Sequence, residues 1–160
     1  MDTGYFPKAP ELQVSEWFNT ASGMTLASLQ GRIVLLYAFQ MLCPACVSHG
    51  VPQAQRAWEA FRQREVVVVG LHTVFEQHAA MTTHALQAFI REQGLSFPIG
   101  VDAARPGESI PATMHALQLQ GTPSTVLIDR LGRVRLHHLG AVDDLRLGTM
   151  IGRLLAEAGH

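Results

Sequence analysis

The sequence lacks the features that mark several large classes of protein. It has no charge excess: twelve basic residues stand against thirteen acidic ones, a formal net charge of −1. That removes the electrostatic ground for binding nucleic acid or an anionic membrane. Cysteine is nearly absent, with two in 160 residues, so no disulfide framework holds the fold together. The longest apolar stretch, IVLLYAFQML at residues 33–42, is too short to span a bilayer and reads as a buried strand. The start, MDTGYFPKAPELQ, has no basic segment followed by an apolar one. The expected location is therefore cytoplasmic, or exported if a leader has been removed. Repeats, low-complexity segments and charge runs are also missing. What remains is 48% hydrophobic and 16% charged, the composition of a folded chain long enough to bury a full core.

The chain divides into a polar, proline-containing arm at residues 1–13, expected to be loosely held, and a single domain at 14–160. Residues 15–32 suggest a short strand, a turn at Ser22-Gly23 and a second short element, an N-terminal β-hairpin. IVLLYAF from Ile33 and VVVVGLH from Val66 are continuously apolar and suit strands buried on both faces. Between them, Val47, Val51, Ala54, Trp58 and Phe61 recur at helical spacing from Pro44 to about Arg64, and Pro52 predicts a kink. A helix capped by Thr82 or Thr83 and stopped by Gly94 follows, then a short strand in SFPIGVD. A short helix ends at Gly121. STVLID and VRLHHLG form a hairpin, and Asp143 or Asp144 caps a last helix. Strands joined by helices imply parallel crossovers, and the final hairpin implies antiparallel pairing. The expected class is α/β, with a mixed central sheet flanked by helices.

Both cysteines lie in CPAC, residues 43–46. Cys43 falls where a buried strand ends, and Pro44 takes the first helical position, where a missing N–H costs least. Free N–H groups of that first turn, with the helix dipole, favour a thiolate at Cys43. Cys46 lies one turn on, on the same face. Side chains so spaced have β-carbons about 5–6 Å apart, and a disulfide wants about 3.8 Å, a small adjustment. Three readings stand open from the spacing alone: reversible redox exchange, half of a zinc site, or an inert pair. Zinc would need two more ligands. His72, His78 and His84 are six apart and share no helical face, so no metal is expected.

GTPSTVLID, residues 121–129, lies about eighty residues downstream. CPAC at a strand–helix junction, with this Thr-Pro motif before a strand and a glycine-containing hairpin, resembles the thioredoxin superfamily. Within it the chain looks most like the TlpA/ResA-type, redoxin-like thiol–disulfide oxidoreductases, from about Trp17 to the final helix. The resemblance implies a thioredoxin-like fold in which residues 72–111 carry an inserted helix and strand. It implies a cis peptide at Pro123 packed against the cysteines. The backbone of Thr122 then offers an edge for an extended substrate chain. Leu42, where the family usually has an aromatic residue, and Pro44 complete the substrate-binding set. Two departures concern proton transfer. The buried acid that thioredoxins carry six residues before the first cysteine is Tyr37 here. The glutamate that many relatives carry three residues past the second cysteine is His49, which can titrate near neutrality. By topology His72, Glu76 and His78 approach the active-site edge.

The implied activity is disulfide exchange, of isomerase or reductase type, with protein partners and a redox partner. Cys43 is the nucleophile, Cys46 the resolving thiol and His49 the proton acceptor, and no cofactor is called for. The alternative is a thiol-dependent peroxidase of peroxiredoxin type, which shares the fold. Its Pro-x3-Thr-x2-Cys motif would fall on Leu36 and Gln40, which argues against it. A binding module using the apolar surface at Met41, Leu42 and Pro123 is a third class.

Overall fold

The computed structural model describes residues 5–157; the first four residues of the arm and the last three of the chain lie outside the described residues. Six strands, β1 (Val14–Phe18), β2 (Ile33–Phe39), β3 (Val66–His72), β4 (Ile99–Asp102), β5 (Ser124–Ile128) and β6 (Val134–Leu139), form one sheet in the order β1-β4-β3-β2-β5-β6. The pairs β2–β3 and β3–β4 are parallel, while β1–β4, β2–β5 and β5–β6 are antiparallel. Four helices, α1 (Val51–Ala60), α2 (Thr83–Gln93), α3 (Ala112–Ala116) and α4 (Asp144–Ala156), complete the mixed α/β layers.

All seven residues of β2 are buried, because the strand is central and covered on both faces. Its alternation divides the core. Ile33, Leu35, Tyr37 and Phe39 pack with Ala54 of α1, Leu86 and Ile90 of α2, and Leu147, Ile151 and Leu154 of α4. Val34, Leu36 and Ala38 face the other way, toward Leu26, Leu29, Met114 and Leu117. The helix ends obey local chemistry. The Thr82 hydroxyl caps α2 by accepting from Ala85 N, and Gly94 ends it at φ 65°, a left-handed conformation that suits glycine. Asp143, rather than Asp144, caps α4 by accepting from Arg146 N.

Three expectations are corrected. The N-terminal hairpin does not form. β1 pairs with β4, about eighty-five residues away, and the next element is a single 3-10 turn, Ala27–Leu29. The helix from Pro44 also ends early, and just before Pro52 it widens into a π-turn over Cys46–Gly50, closed by Val51 N donating to Cys46 O. The wider turn lets the helix continue although Pro52 has no N–H to give, and α1 then ends at Ala60 rather than Arg64. The described part of the arm is held rather than loose. Ala9 N donates to Gly132 O and Val134 N to Pro7 O, both at 2.8 Å, and the Glu11 carboxylate accepts from Leu26 N and Ala27 N.

No helix among the described residues is long and apolar enough to cross a membrane.

Candidate active site

β2 ends at Phe39, and a turn closed by Cys43 N donating to Gln40 O at 3.1 Å carries the chain to the helix that starts at Pro44. Cys43 is half-buried and Cys46 fully buried, and both are free thiols. Cys46 N donates to Cys43 Sγ at 3.3 Å. One backbone N–H of the first turn therefore points at the first sulfur, as the helix-start argument requires.

The wall opposite is the β5 approach. The Thr122–Pro123 peptide is cis, and the Cys43 thiol donates to Thr122 O at 3.6 Å. Pro123 is buried, with its carbonyl accepting from Gly140 N. In front of the dithiol Leu42 is 52% exposed and Pro44 is exposed, which leaves an apolar rim open to a partner. The structure thus gathers Leu42, Cys43, Pro44, Cys46, Thr122 and Pro123 into one place from two distant segments.

Behind it, burial pushes the Cys46 thiol up to about 12, with the neighbouring Cys43 sulfur adding to the rise. Tyr37 lies beneath on β2. A Cβ at Gly50 would overlap its hydroxyl, so only glycine fits at the end of the π-turn. His49 is turned toward the α4 entry: its Nε2 lies 2.9 Å from Val142 O. Since a carbonyl only accepts, that nitrogen carries the proton, and Nδ1 is the remaining acceptor. Gln53 Nε2 donates to the same carbonyl at 2.7 Å and to Asp144 Oδ1 at 2.8 Å. Gln53, and then Arg56, hold the Asp144 carboxyl below its ordinary range.

One residue escaped sequence reasoning as part of the site. Gln40 is buried directly after β2. Its amide nitrogen donates to Thr122 Oγ1 at 3.3 Å and to Glu76 Oε1 at 3.4 Å, and its oxygen accepts from Phe75 N at 3.2 Å. It ties the cysteine loop to the Thr122 wall and to the segment after β3. A polar residue at the end of an otherwise apolar strand was the available signal. His72 does related work: its Nε2 accepts from Met41 N at 3.3 Å, and burial lowers its pKa to about 4, so the ring is neutral. Glu76 reaches the site through Gln40, whereas His78 turns to Ser109 O at 3.0 Å. Among the described residues no group of three or more His, Cys, Asp or Glu is arranged to hold a metal ion.

Residues 7–137 match the AhpC/TSA family. A solved thioredoxin-like superfamily protein is 51% identical, with 96% of this chain and 99% of that one covered at a TM-score of 0.94. A thiol-disulfide isomerase from Corynebacterium glutamicum is 47% identical, with 99% and 100% covered at a TM-score of 0.90. StoA from Bacillus subtilis, 23% identical with 84% and 95% covered at a TM-score of 0.63, shares the fold. No curated protein sequence matches. On the extent of the family match, the identity to these relatives and the shared architecture, the chain belongs to the AhpC/TSA family and is an oxidoreductase of thioredoxin-like fold.

Proposed function

We propose that the chain exchanges disulfides with protein partners through Cys43 and Cys46. Cys43 Sγ attacks one sulfur of a partner disulfide. A Cys43–partner bond forms, the partner's S–S bond breaks, and the released partner sulfur takes up a proton. Cys46 then attacks Cys43 Sγ, closing the Cys43–Cys46 disulfide, and the second partner sulfur leaves as a thiol. The partner gains two electrons and two protons, and the enzyme loses them. Run backwards, the same steps oxidise a partner dithiol.

The observation that carries this reading is the asymmetry of the pair. Cys43 is half-exposed and receives a backbone N–H, while Cys46 is buried within one helical turn of it. That suits one sulfur to attack and the other to wait. The exposed Leu42 and Pro44 and the Thr122 backbone supply an apolar rim and a strand edge, which fit an extended polypeptide. His49 serves as proton acceptor for Cys46 through Nδ1, the nitrogen left free by its bond to Val142.

The test is a Cys46→Ser variant offered a disulfide-bonded model protein. It should accumulate a mixed disulfide at Cys43 that survives until an added thiol releases it. If no adduct forms, disulfide exchange through Cys43 is wrong. The family match favours a second reading, peroxide reduction. Against it, the Gln40 amide that occupies the expected threonine position is already committed to Thr122, Glu76 and Phe75. Rapid, saturable peroxide consumption would turn the assignment to that side.

A further inference from the structure

The rim around the dithiol is apolar where a partner first meets it. Leu42 and Pro44 are exposed beside Cys43. The exposed Leu139 lies close to Gly121, where a Cβ would come within 3.4 Å of its Cδ1. One carboxylate interrupts this surface. Glu76, in the segment after β3, is exposed, and its Oε1 accepts from Gln40 Nε2 at 3.4 Å. The same nitrogen donates to Thr122 Oγ1 at 3.3 Å, and the Thr122 carbonyl accepts from Cys43 Sγ at 3.6 Å. A charged side chain is thus tied, through one amide group, to the wall that faces the attacking sulfur.

The tether uses the whole amide. Gln40 is 2% exposed. Its nitrogen has two N–H groups and two acceptors, Thr122 and Glu76. Its oxygen accepts from Phe75 N at 3.2 Å, so the amide holds both the backbone beside Glu76 and the Glu76 side chain. A buried amide that lost these partners would cost stability, and the place of Glu76 is therefore coupled to that of Thr122. Glu76 forms no ion pair among the described residues. Its negative charge is left for a group outside the chain.

We propose that Glu76 is a specificity-determining residue, whose carboxylate selects protein disulfides that carry a lysine or arginine next to the attacked cysteine. The inference rests on the dithiol-exchange reading and narrows its substrate class. A partner paired in extended form along the Thr122 backbone sends alternate side chains to the same side. The residues flanking its cysteine then pass over the rim, where apolar ones meet Leu42 and basic ones reach Glu76. A long cationic side chain suits both surfaces, since its stem covers apolar area while its head pairs with the carboxylate. An acidic flank meets repulsion, so the same group rejects as well as selects. The bond changes at sulfur are those already given, and Glu76 neither takes nor gives a proton.

The experiment uses synthetic disulfide peptides that differ only in having lysine or glutamate on each side of the cysteine. Rates of adduct formation at Cys43 are measured on the Cys46→Ser background, with Glu76 intact and with Glu76→Gln or Glu76→Lys. The lysine-to-glutamate rate ratio is read within each protein, which cancels any general loss of activity. The effect of the flanking charge on the peptide's own sulfur is common to all three proteins. At low salt Glu76→Gln, which keeps an acceptor for Gln40, should lower the ratio about 3- to 10-fold, and Glu76→Lys should lower it further. In about 0.5 M salt the three ratios should converge. A difference that high salt leaves intact overturns the proposal. If every peptide labels Cys43 and the ratio ignores residue 76, only the role of Glu76 falls; if no peptide labels Cys43, disulfide exchange itself falls.

Discussion

Cys43 and Cys46 share one helical turn and almost none of their surroundings. Beside the apolar rim of Leu42 and Pro44, the surroundings of Cys43 are held by polar contacts from many distant segments: Thr122 from the β5 approach, Gln40 from the end of β2, Phe75 and Glu76 from beyond β3, and His72 bracing Met41. Its sulfur receives a backbone N–H. The region behind Cys46 is tight and largely apolar, bounded by Tyr37, Val51 and Ala54, with Gly50 admitting no side chain. The contrast shows how one Cys-x-x-Cys spacing yields two different thiols. The attacking sulfur is set by directed hydrogen bonds and the resolving sulfur by burial. The front should therefore respond to changes in polar partners, and the back to changes in volume and desolvation.

The largest expected effect comes from removing the front sulfur. Cys43→Ser should lower disulfide exchange by at least about 1,000-fold, because a hydroxyl is a far weaker nucleophile at neutral pH. Unlike Cys46→Ser, it should trap no partner when offered the disulfide-bonded model protein. An adduct on Cys46 instead would erase the distinction between the two regions.

Next comes acid stability, read through His72. The buried ring has its pKa lowered to about 4 from 6.5. Below 6.5 the unfolded chain takes up a proton that the folded one refuses until about pH 4. The stabilisation from the neutral ring is therefore complete above 6.5 and falls away as pH drops through that window, by about 3 kcal/mol in all. His72→Gln retains an acceptor for Met41 N and does not titrate. Its denaturant midpoint should fall less steeply than wild type between pH 6.5 and 4, and parallel curves would show that the front loop is not braced by this ring.

The smallest effect is a change of shape rather than size. His49→Ala should flatten the pH dependence of the resolving step near neutrality, with a rate loss of only several-fold at pH 7. An unchanged profile in stopped-flow measurements would remove His49 from the back region's chemistry.

Much of this contrast could be read in the sequence, and the rest depended on contacts that no local pattern carries. Ile33–Phe39 and Val66–His72 were legible to the residue because a strand buried on both faces is continuously apolar. The helix start at Pro44 and the two cysteines were legible from proline placement and spacing. Thr122 and Pro123 required a resemblance, since a Thr-Pro pair eighty residues away has no local link to a cysteine. The partner of β1 was misread because pairing between residues 14–18 and 99–102 leaves no mark in either segment. Pro52 signalled a disturbed helix, yet its form, a π-turn, depends on which carbonyl Val51 finds. Gln40 was passed over because its three contacts all lie in other segments.

The position of Thr122 far along the chain has a consequence for synthesis. The cysteines leave the ribosome about eighty residues ahead of the wall that will cover them, and β2 waits as long for β5, its antiparallel neighbour. Residues 14–18 likewise wait, until β4 at residue 102 has emerged. Distant pairings of this kind come late in assembly. The nascent protein therefore carries an uncovered dithiol through about half of its translation, open to whatever thiols or oxidants surround it.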